Sequence, residues 1–195
     1  MKRVTVLLFA AFCFLVTSPA WAQGICYGIA GNLVVNCGFE TGDFTGWTQD
    51  GNTGFTGVDG NPNSGSFAAF MGPVGSDGSL EQLVGDNSTT YQIMFWLYSD
   101  GGSPNDFTLF WNGVDVGPDL VDVGGFGYTK FTFNVAGNFG AGSNLLEFVF
   151  RQDPAYWYLD DVSVVNTGTP EPSSLILMGS GILGLAGVIR RKLAA

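Results

Sequence analysis

The sequence predicts an all-β protein, an antiparallel β-sandwich, framed by two terminal segments that do not belong to the folded body. Three observations point to this fold class. Short stretches rich in aromatic and β-branched residues recur along the interior, separated by turns rich in glycine, asparagine and aspartate. Apolar and polar residues alternate within these stretches, which is the period of a half-buried sheet. No interior window of ten or more residues has a helical period.

Five stretches are predicted to be strands: 91–99, 107–111, 128–135, 145–151 and 157–165. In the third, Phe131, Phe133 and Val135 alternate with polar residues, so one face of that strand should meet water. The dipeptide at 112–113, Asn-Gly, predicts a type I′ hairpin turn. The segment 50–79 is poor in strand signals and is predicted to form long loops with one short strand at 66–71.

The N-terminus has the pattern of a secretory signal peptide. Lys2 and Arg3 precede an apolar run that extends to Val16, and the small-residue frame Ala20-Trp21-Ala22 follows. This order predicts cleavage after Ala22, because the run is short for a membrane span and a processing frame follows it at once. Residues 1–22 are therefore predicted to be a removable helix, and the protein to leave the cytoplasm through the Sec pathway.

The C-terminus combines three features in a fixed order. Pro170, Glu171 and Pro172 come first, residues 173–189 carry no charge, and a basic cluster follows at 190–192. Seventeen residues of helix span about 26 Å, slightly less than the ~30 Å of a bilayer core. The segment 173–189 is predicted to be a single transmembrane helix, with the basic cluster cytoplasmic and the β-domain outside.

These C-terminal residues resemble the PEP-CTERM sorting signal of Gram-negative bacteria. The resemblance implies that residues 169–195 form a tail which holds the protein in the inner membrane until exosortase, a membrane transpeptidase, recognises the Pro-Glu-Pro box. It also implies export linked to extracellular polysaccharide and biofilm matrix. The expected organisation is a signal peptide at 1–22, a β-sandwich at 23–168 and the sorting tail, with a final location at the cell surface or in the matrix.

The charge distribution excludes several partners. The chain has 17 acidic and 7 basic residues, a net charge of −10 and no histidine. Between residues 23 and 169 the only basic side chains are Lys130 and Arg151. So acidic a body should be repelled by nucleic acid and by anionic lipid. Without histidine, the usual serine or cysteine triads and most zinc sites are excluded as well.

Cys26 and Cys37 are the only cysteines outside the signal peptide. Because an exported protein meets an oxidising environment, we expect them to form a disulfide, which stabilises the fold by about 3 kcal/mol on the chain-entropy estimate. The alternative is that both are small buried side chains.

A second resemblance concerns the body of the protein. The segment 32–47, NLVVNCGFETGDFTGW, and the segment 158–164, YLDDVSV, are similar to the opening and closing strands of jelly-roll carbohydrate-binding modules, the galactose-binding-like sandwiches. In those modules a structural calcium joins the Glu of the Gly-Phe-Glu element to an Asp of the last strand. The resemblance implies one Ca²⁺ held by Glu40 and Asp160, with oxygens near Asn63 as further ligands.

The strand pattern around Asp160 supports an ion there. Asp160 shares its parity with Val162 and Val164 and is expected to point toward the core, with Asp161 pointing away. A buried carboxylate needs a cation, and calcium suits a domain poor in lysine and arginine. The alternative is that these acids cap turns or pair with Arg151.

The candidate carbohydrate-binding residues lie on the predicted strand 91–99. Gln92, Met94, Trp96 and Tyr98 should share the face opposite the core, where a ring can stack on a sugar and an amide can bind its hydroxyl groups. The aromatic segment 156–158 forms a second candidate group. The alternative is that both faces are buried, and Trp47 in particular is expected to be a packing residue.

Catalysis has little support in the sequence. Asp160 and Asp161 should face opposite ways on a strand and so could not flank one glycosidic bond. We therefore expect a non-enzymatic surface or matrix protein that binds exopolysaccharide. The alternative from another class is a purely structural or adhesive matrix component with no sugar site. A glycan hydrolase would require a convergent pair of carboxylates in a cleft.

Overall fold

The computed structural model describes residues 23–85, 90–138 and 142–168. Within these ranges the chain forms one short 3₁₀ helix, Ile25–Gly28, and eleven strands. The strands are β1 Thr48–Gly51, β2 Thr56–Asp59, β3 Ala68–Met71, β4 Gly78–Val84, β5 Thr90–Ser99, β6 Asn105–Trp111, β7 Val114–Asp115, β8 Leu120–Val121, β9 Phe126–Ala136, β10 Asn144–Gln152 and β11 Trp157–Asn166. Apart from this four-residue helix, all regular secondary structure of the described residues is β-strand, so the predicted fold class is confirmed.

The strands form two sheets in which every pairing is antiparallel. Sheet I has the order β1-β4-β10-β6-β7, with the two-residue strand β8 also paired to β6. Sheet II has the order β2-β3-β11-β5-β9. Consecutive strands frequently belong to different sheets, so the chain crosses repeatedly from one layer to the other, as in a jelly roll.

The core lies between the inner faces of the two sheets. Phe95 of β5 contacts Phe107 of β6 and Phe148 of β10, with ring centroids 5.9 and 5.1 Å apart. Trp47 is buried against Phe148 at 6.2 Å, so its predicted packing role is confirmed. Because each strand alternates, these inner residues leave every second side chain on an outer face, where no packing requirement fixes its identity.

The five predicted strands correspond to β5, β6, β9, β10 and β11. The predicted hairpin is present as well, since Asn112 and Gly113 link β6 to β7 with φ of 54° and 74°. A type I′ turn requires positive φ at both central positions, which asparagine and glycine tolerate best. The strong strand signals therefore located the centre of both sheets.

The prediction of long loops over 50–79 was wrong in part. The short strand β3 lies where it was expected, but part of β1, all of β2 and the start of β4 also fall in this segment. β1 and β2 each contain four residues and lie at sheet edges. Edge strands need few apolar side chains, so Gly, Asp and Thr suffice once a neighbouring strand supplies the hydrogen bonds.

Candidate functional site

The outer face of sheet II carries the predicted sugar-binding residues. In β5 the side chains of Tyr91, Ile93, Phe95 and Leu97 are fully buried, and the intervening ones are half-buried. These intervening side chains are Gln92, Met94, Trp96 and Tyr98. The predicted division of this strand into an inner and an outer face is therefore confirmed. A role in binding remains a prediction.

Five aromatic rings form a connected row across the outer face of sheet II. The row runs Phe70, Tyr156, Tyr158, Tyr98, Tyr128, and successive ring centroids are 5.5, 6.3, 5.5 and 5.6 Å apart. These residues come from β3, the segment before β11, β11 itself, β5 and β9. We call this set the aromatic row. It crosses the strands, so only the pairing of β3, β11, β5 and β9 brings its members together.

Trp96 lies beside the aromatic row, with an ionisable residue next to it on each neighbouring strand. In the strand register it is opposite Lys130 of β9 on one side and Asp160 of β11 on the other. Gln92, nearer the start of β5, donates from Nε2 to Oδ1 of Asn134, 3.3 Å away. The outer face of β5 thus combines an indole, a phenol and an amide, which supply an apolar surface and hydrogen-bonding groups.

Three phenols of the aromatic row, those of Tyr98, Tyr128 and Tyr158, have raised pKa values and remain protonated. Burial raises the pKa of Tyr158 above 10.0, with the nearby charge of Asp59 as the next contribution. Burial also raises the pKa of Tyr128, whose hydroxyl donates to the carbonyl of Asn61 at 2.7 Å. A hydrogen bond to Asp100 raises the pKa of Tyr98. These three residues therefore present uncharged rings with hydroxyl groups.

The segment 156–158 divides between the two faces. Tyr156 and Tyr158 belong to the aromatic row, but Trp157 is fully buried and contacts Phe107 at 5.6 Å. The indole nitrogen of Trp157 donates to the carbonyl of Arg151 at 2.9 Å. Trp157 is thus a core residue, and only its two neighbours are available to a ligand.

The strand β11 departs from simple alternation at the two aspartates. Its register to β5 shifts between Asp160 and Ser163, and Asp161 has φ of 50°. Asp160 is opposite Trp96, an outer-face residue of β5, whereas Val164 is opposite the inner residue Ile93. The prediction that Asp160 lies on the same face of β11 as Val162 and Val164 was therefore wrong. A β-bulge inserts an extra residue and resets which side chains face the core.

Both aspartates are nonetheless buried, because a loop and the N-terminal segment cover them. Asp160 is 0% and Asp161 is 3% exposed. Oδ2 of Asp160 accepts the backbone N–H groups of Asn63 and Ser64 at 2.8 and 3.0 Å. Oδ2 of Asp161 accepts the Ser64 hydroxyl at 2.6 Å and the Asn63 amide at 2.9 Å. The expectation that the two aspartates face opposite ways was therefore wrong, since both contact Asn63 and Ser64.

Glu40 reaches the same loop from the N-terminal segment. Its carboxylate accepts the backbone N–H of Ser66 at 2.9 Å and that of Phe67 at 3.2 Å. The three predicted calcium ligands, Glu40, Asn63 and Asp160, are thus gathered on the loop 63–67, and Asp161 joins them. We call Glu40, Asp160 and Asp161 the carboxylate cluster.

No cationic side chain of the described residues neutralises the carboxylate cluster. Arg151 forms an ion pair with Asp153 at 2.8 Å, and Lys130 lies on β9, two strands away from β11. Burial, and then the charge of Asp161, raise the pKa of Asp160 to about 8. Across residues 23–85, 90–138 and 142–168, no group of three or more His, Cys, Asp and Glu side chains is arranged to hold a metal ion.

The predicted disulfide is present and holds the N-terminal segment beside the cluster. Cys26 and Cys37 are bonded, with Cα atoms 6.0 Å apart. The backbone N–H of Cys26 donates to Oδ1 of Asp161 at 3.1 Å, and the carbonyl of Cys37 accepts from the N–H of Val162 at 2.8 Å. The disulfide therefore fixes the segment that buries Asp161. Sequence reasoning missed Asp161, although the adjacent Asp-Asp pair was visible.

Comparison with known proteins identifies the C-terminal motif. Residues 169–192 match the PEP-CTERM protein-sorting motif, which confirms the first resemblance. This motif implies export, recognition by exosortase and processing of the C-terminus. Pro170, Glu171 and Pro172, together with residues 1–22, 173–189 and 190–192, lie outside the residues that the structure describes. Within the described ranges, no helix has the length and apolar character needed to cross a membrane.

Similar solved structures support the fold of the body. A carbohydrate-binding module, TmCBM61, solved with β-1,4-galactotriose, has a TM-score of 0.55 and 21% identity over 69% of this chain and 98% of its own. The enzymatically active domain of bacteriophage CBA120 tailspike protein 4 has a TM-score of 0.52 and 15% identity, covering 69% of this chain and 21% of its own.

A third structure is the tandem CBM22-1–CBM22-2 domain of Paenibacillus barcinonensis Xyn10C. It has a TM-score of 0.50 and 18% identity, covering 73% of this chain and 48% of its own. A comparison with curated proteins finds no match. At these identities the likeness establishes the jelly-roll fold of the body.

Proposed function

We propose that this protein is an exported, exosortase-sorted surface or matrix protein whose jelly-roll domain binds a neutral polysaccharide without catalysing its cleavage. The observation that carries this proposal is the aromatic row with Trp96 beside it, on an outer face of a sandwich whose core is complete without them. A folded domain gains little from aromatic side chains placed on its outer face, so a contiguous set of them marks a binding surface.

The chemistry of the outer face of sheet II suits a sugar chain. Aromatic rings stack on the apolar C–H face of a pyranose, and neutral phenol and amide groups exchange hydrogen bonds with its hydroxyl groups. TmCBM61 was solved in complex with β-1,4-galactotriose, so a domain of this fold can present a site for a neutral oligosaccharide. A body with two basic side chains should attract neutral glycans in preference to polyanionic ones.

Affinity electrophoresis of the full chain in detergent tests this function. Gels containing the host's own exopolysaccharide should retard the protein, and the double variant Trp96→Ala, Tyr98→Ala should migrate as it does in a plain gel. Phe110→Ala, on the outer face of sheet I, is the matched control and should remain retarded. Equal mobility of the unaltered chain with and without polysaccharide would favour the purely structural or adhesive role.

We propose in addition that the inner membrane holds the protein through residues 173–189 until exosortase processes the tail. The match over 169–192 supports this step, because the motif implies C-terminal processing. Mass spectrometry of the mature protein from its host should show a C-terminus within or just before the Pro-Glu-Pro box at 170–172. Recovery of the intact tail, with both termini uncut, would argue against it.

We also propose that the carboxylate cluster binds one structural calcium ion. The oxygens of Glu40, Asp160 and Asp161 accept hydrogen bonds from residues 63–67 and are not converged on one point as they stand, so an ion would have to replace some of these donors. No basic side chain of the described residues is close enough to take the place of an ion. Calcium prefers oxygen ligands and would compensate the buried negative charge. Thermal unfolding of the full chain should shift to higher temperature in calcium than in chelator, and equal midpoints would remove this site.

A further inference from the structure

The two edges of sheet II differ in length. One edge is β2, which has four residues, and the other is β9, which has eleven. The edge strands of sheet I are also short, since β1 has four residues and β7 and β8 have two each. A long edge strand offers a row of main-chain groups to another strand, and proteins usually keep such edges short. Among the described residues, β9 is thus the one long edge of either sheet.

The pairing of β5 shows which of its residues hydrogen-bond to β9. The carbonyl of Thr90 accepts the N–H of Thr167, directly after β11, at 3.0 Å. Thr90 therefore turns its main-chain groups toward β11. Successive residues of a paired strand turn these groups to opposite sides. The residues of β5 that hydrogen-bond to β9 are accordingly Tyr91, Ile93 and Phe95.

Three residues of β9 turn their main-chain groups to the free edge. The register partners of the three β5 residues are Val135, Phe133 and Phe131, and these hydrogen-bond to β5. The β9 residues that alternate with them direct their N–H and C=O groups away from β5. These outward residues are Lys130, Thr132 and Asn134, and their side chains are exposed.

No described residue occupies this edge. Within residues 23–85, 90–138 and 142–168, β5 is the only strand paired with β9. In the same ranges, no hydrogen bond outside that pairing reaches a main-chain group of residues 128–135. The carbonyls just beyond both ends are used, that of Gly127 by the Thr129 hydroxyl and that of Ala136 by the Trp111 indole. The outward residues thus offer their N–H and C=O groups to a further strand.

The inner-face side chains of β9 are incompletely covered. Phe131 and Phe133 are half-buried, although the residues opposite them on β5, Phe95 and Ile93, are fully buried. Both rings contact Phe95, with centroids 5.4 and 6.1 Å apart. A strand added beside β9 would remove more of both rings from water, which favours association.

The charge of β9 differs from that of the other edges. β9 contains one cation, Lys130, and no carboxylate. β1, β2 and β7 each contain an aspartate, and these are Asp50, Asp59 and Asp115. A second copy of so acidic a body is repelled along those three edges. β9 is the edge at which two copies can approach.

We propose that β9 pairs with β9 of a second copy, antiparallel, about a two-fold axis perpendicular to sheet II at Thr132. In this register Thr132 lies opposite its own counterpart and Lys130 opposite Asn134 of the second copy, giving about six main-chain hydrogen bonds. Phe131 lies opposite Phe133 of the second copy, so half-buried rings meet on the inner face. A register centred on Lys130 would instead place two like charges opposite each other.

The second copy is the partner that fits this edge. Because a two-fold axis matches a strand to itself, both partners have the same length, the same outward groups and no carboxylate. The dimer contains one continuous sheet of ten strands, five from each copy. The outer faces of both copies of sheet II then point the same way. The pairing depends on β9 alone and not on the proposed sugar binding.

Sedimentation velocity of the full chain in detergent tests the dimer. The dimer fraction of the unaltered chain should rise with protein concentration. Thr132→Pro removes an outward N–H and none of the bonds to β5, so it should weaken dimerisation at least tenfold and leave the circular dichroism unchanged. Thr132→Val keeps the N–H and should dimerise as the unaltered chain does. An unaltered chain that stays monomeric, or a folded Thr132→Pro variant that dimerises equally, would overturn the proposal.

Cysteine cross-linking tests the register without requiring the proline variant to fold. Cα atoms of a hydrogen-bonded antiparallel pair are about 5.5 Å apart, within the range of a disulfide. Under mild oxidation, Thr132→Cys should form a covalent dimer at least five times more than Thr48→Cys, a matched exposed threonine on edge strand β1. The unaltered chain is the blank. Equal yields from the two variants, or no dimer from Thr132→Cys, would show that β9 does not pair in this way.

Discussion

The outer faces of the two sheets differ sharply, although their inner faces are alike. Sheet II presents the aromatic row and Trp96. Sheet I presents carboxylates among apolar side chains such as Leu83 and Phe110: Glu81 of β4 is directly opposite Glu147 of β10, and Asp106 of β6 is opposite Arg151. Both sheets bury Phe and Leu on their inner sides. Since the core fixes only every second residue of a strand, the outer residues are free to carry function, and the two sheets use this freedom differently.

The acids on sheet I perturb one another. Burial, and then the charge of Asp77, raise the pKa of Asp106 to about 6. Burial, followed by the charges of Glu81 and Asp50, raises the pKa of Glu147. Mutual repulsion among these carboxylates costs stability, which the charge of Arg151 offsets only in part at Asp106, and it repels acidic polymers. Sheet I therefore carries clustered carboxylates on its outer face, whereas the phenols of Tyr98, Tyr128 and Tyr158 on sheet II are uncharged.

The largest expected effect concerns the pH dependence of the free energy of unfolding. Asp160 of sheet II and Asp106 of sheet I should each contribute to it over a different pH range. Asp160 has a pKa of about 8 in the folded protein against an ordinary value of 3.8, so the folded state binds the extra proton between these values. The stabilisation of the folded state by protonated Asp160 is complete below about pH 4, and it is lost as the pH rises to about 8. Each unit is worth about 1.4 kcal/mol, so several kcal/mol should disappear across this window.

Chemical unfolding of the full chain in chelator, measured at intervals over this pH range, tests how much each aspartate contributes to the pH dependence of stability. Asp160→Asn should flatten the slope up to about pH 8. Asp106→Asn on sheet I should flatten it only between about pH 4 and about pH 6, because the pKa of Asp106 is raised less. Identical slopes in both variants and in the unaltered chain would contradict the assignment.

The second effect concerns the disulfide, which covers β11 of sheet II and has no counterpart on the described part of sheet I. Replacing Cys26 and Cys37 by serine should lower the free energy of unfolding by about 3 kcal/mol, through the lost constraint on the unfolded chain. Denaturant unfolding measures the loss. If the free energy of unfolding falls by less than about 1 kcal/mol, the backbone hydrogen bonds of residues 26 and 37 to β11 are sufficient to hold the N-terminal segment without the disulfide.

The third effect compares one aromatic residue on each face. Trp96→Ala should weaken polysaccharide binding at least tenfold, about 1.4 kcal/mol, and Trp96→Phe should retain part of the affinity because a ring remains to stack. Phe110→Ala on sheet I should leave the affinity unchanged. Quantitative affinity electrophoresis measures all three variants. A larger loss from Phe110→Ala than from Trp96→Ala would place the binding face on sheet I.

The smallest effect should come from removing a repulsion on sheet I. Glu147→Gln relieves the like-charge pair with Glu81, and opposite like charges in a sheet cost a few tenths of a kcal/mol to about 1 kcal/mol. We expect the variant to be stabilised by about 0.5 kcal/mol at neutral pH. The gain should vanish in acid, where Glu147 is protonated in the parent. A gain that persists in acid would indicate a packing effect.

Local patterns were sufficient to predict the central strands, because alternation in β5, β9 and β10 directly encodes which face is buried. The same patterns could not predict β1 and β2, whose residues become strands only by hydrogen bonding to β4 and β3. They also failed at Asp161, because a bulge depends on the register with β5 and leaves no mark in residue type.

By itself, the sequence determined that the protein is exported and sorted, that its body is a β-sandwich, and which side of β5 could meet a ligand. These properties depend on the order and period of residues along the chain. Only the tertiary structure decided that Phe70, Tyr156, Tyr158, Tyr98 and Tyr128 form one row, that Asp160 and Asp161 share a loop, and that β9 lies at a sheet edge. Those groupings arise from strand pairing between residues distant in sequence, because antiparallel neighbours in a jelly roll are set by the packing of two sheets and not by local propensity.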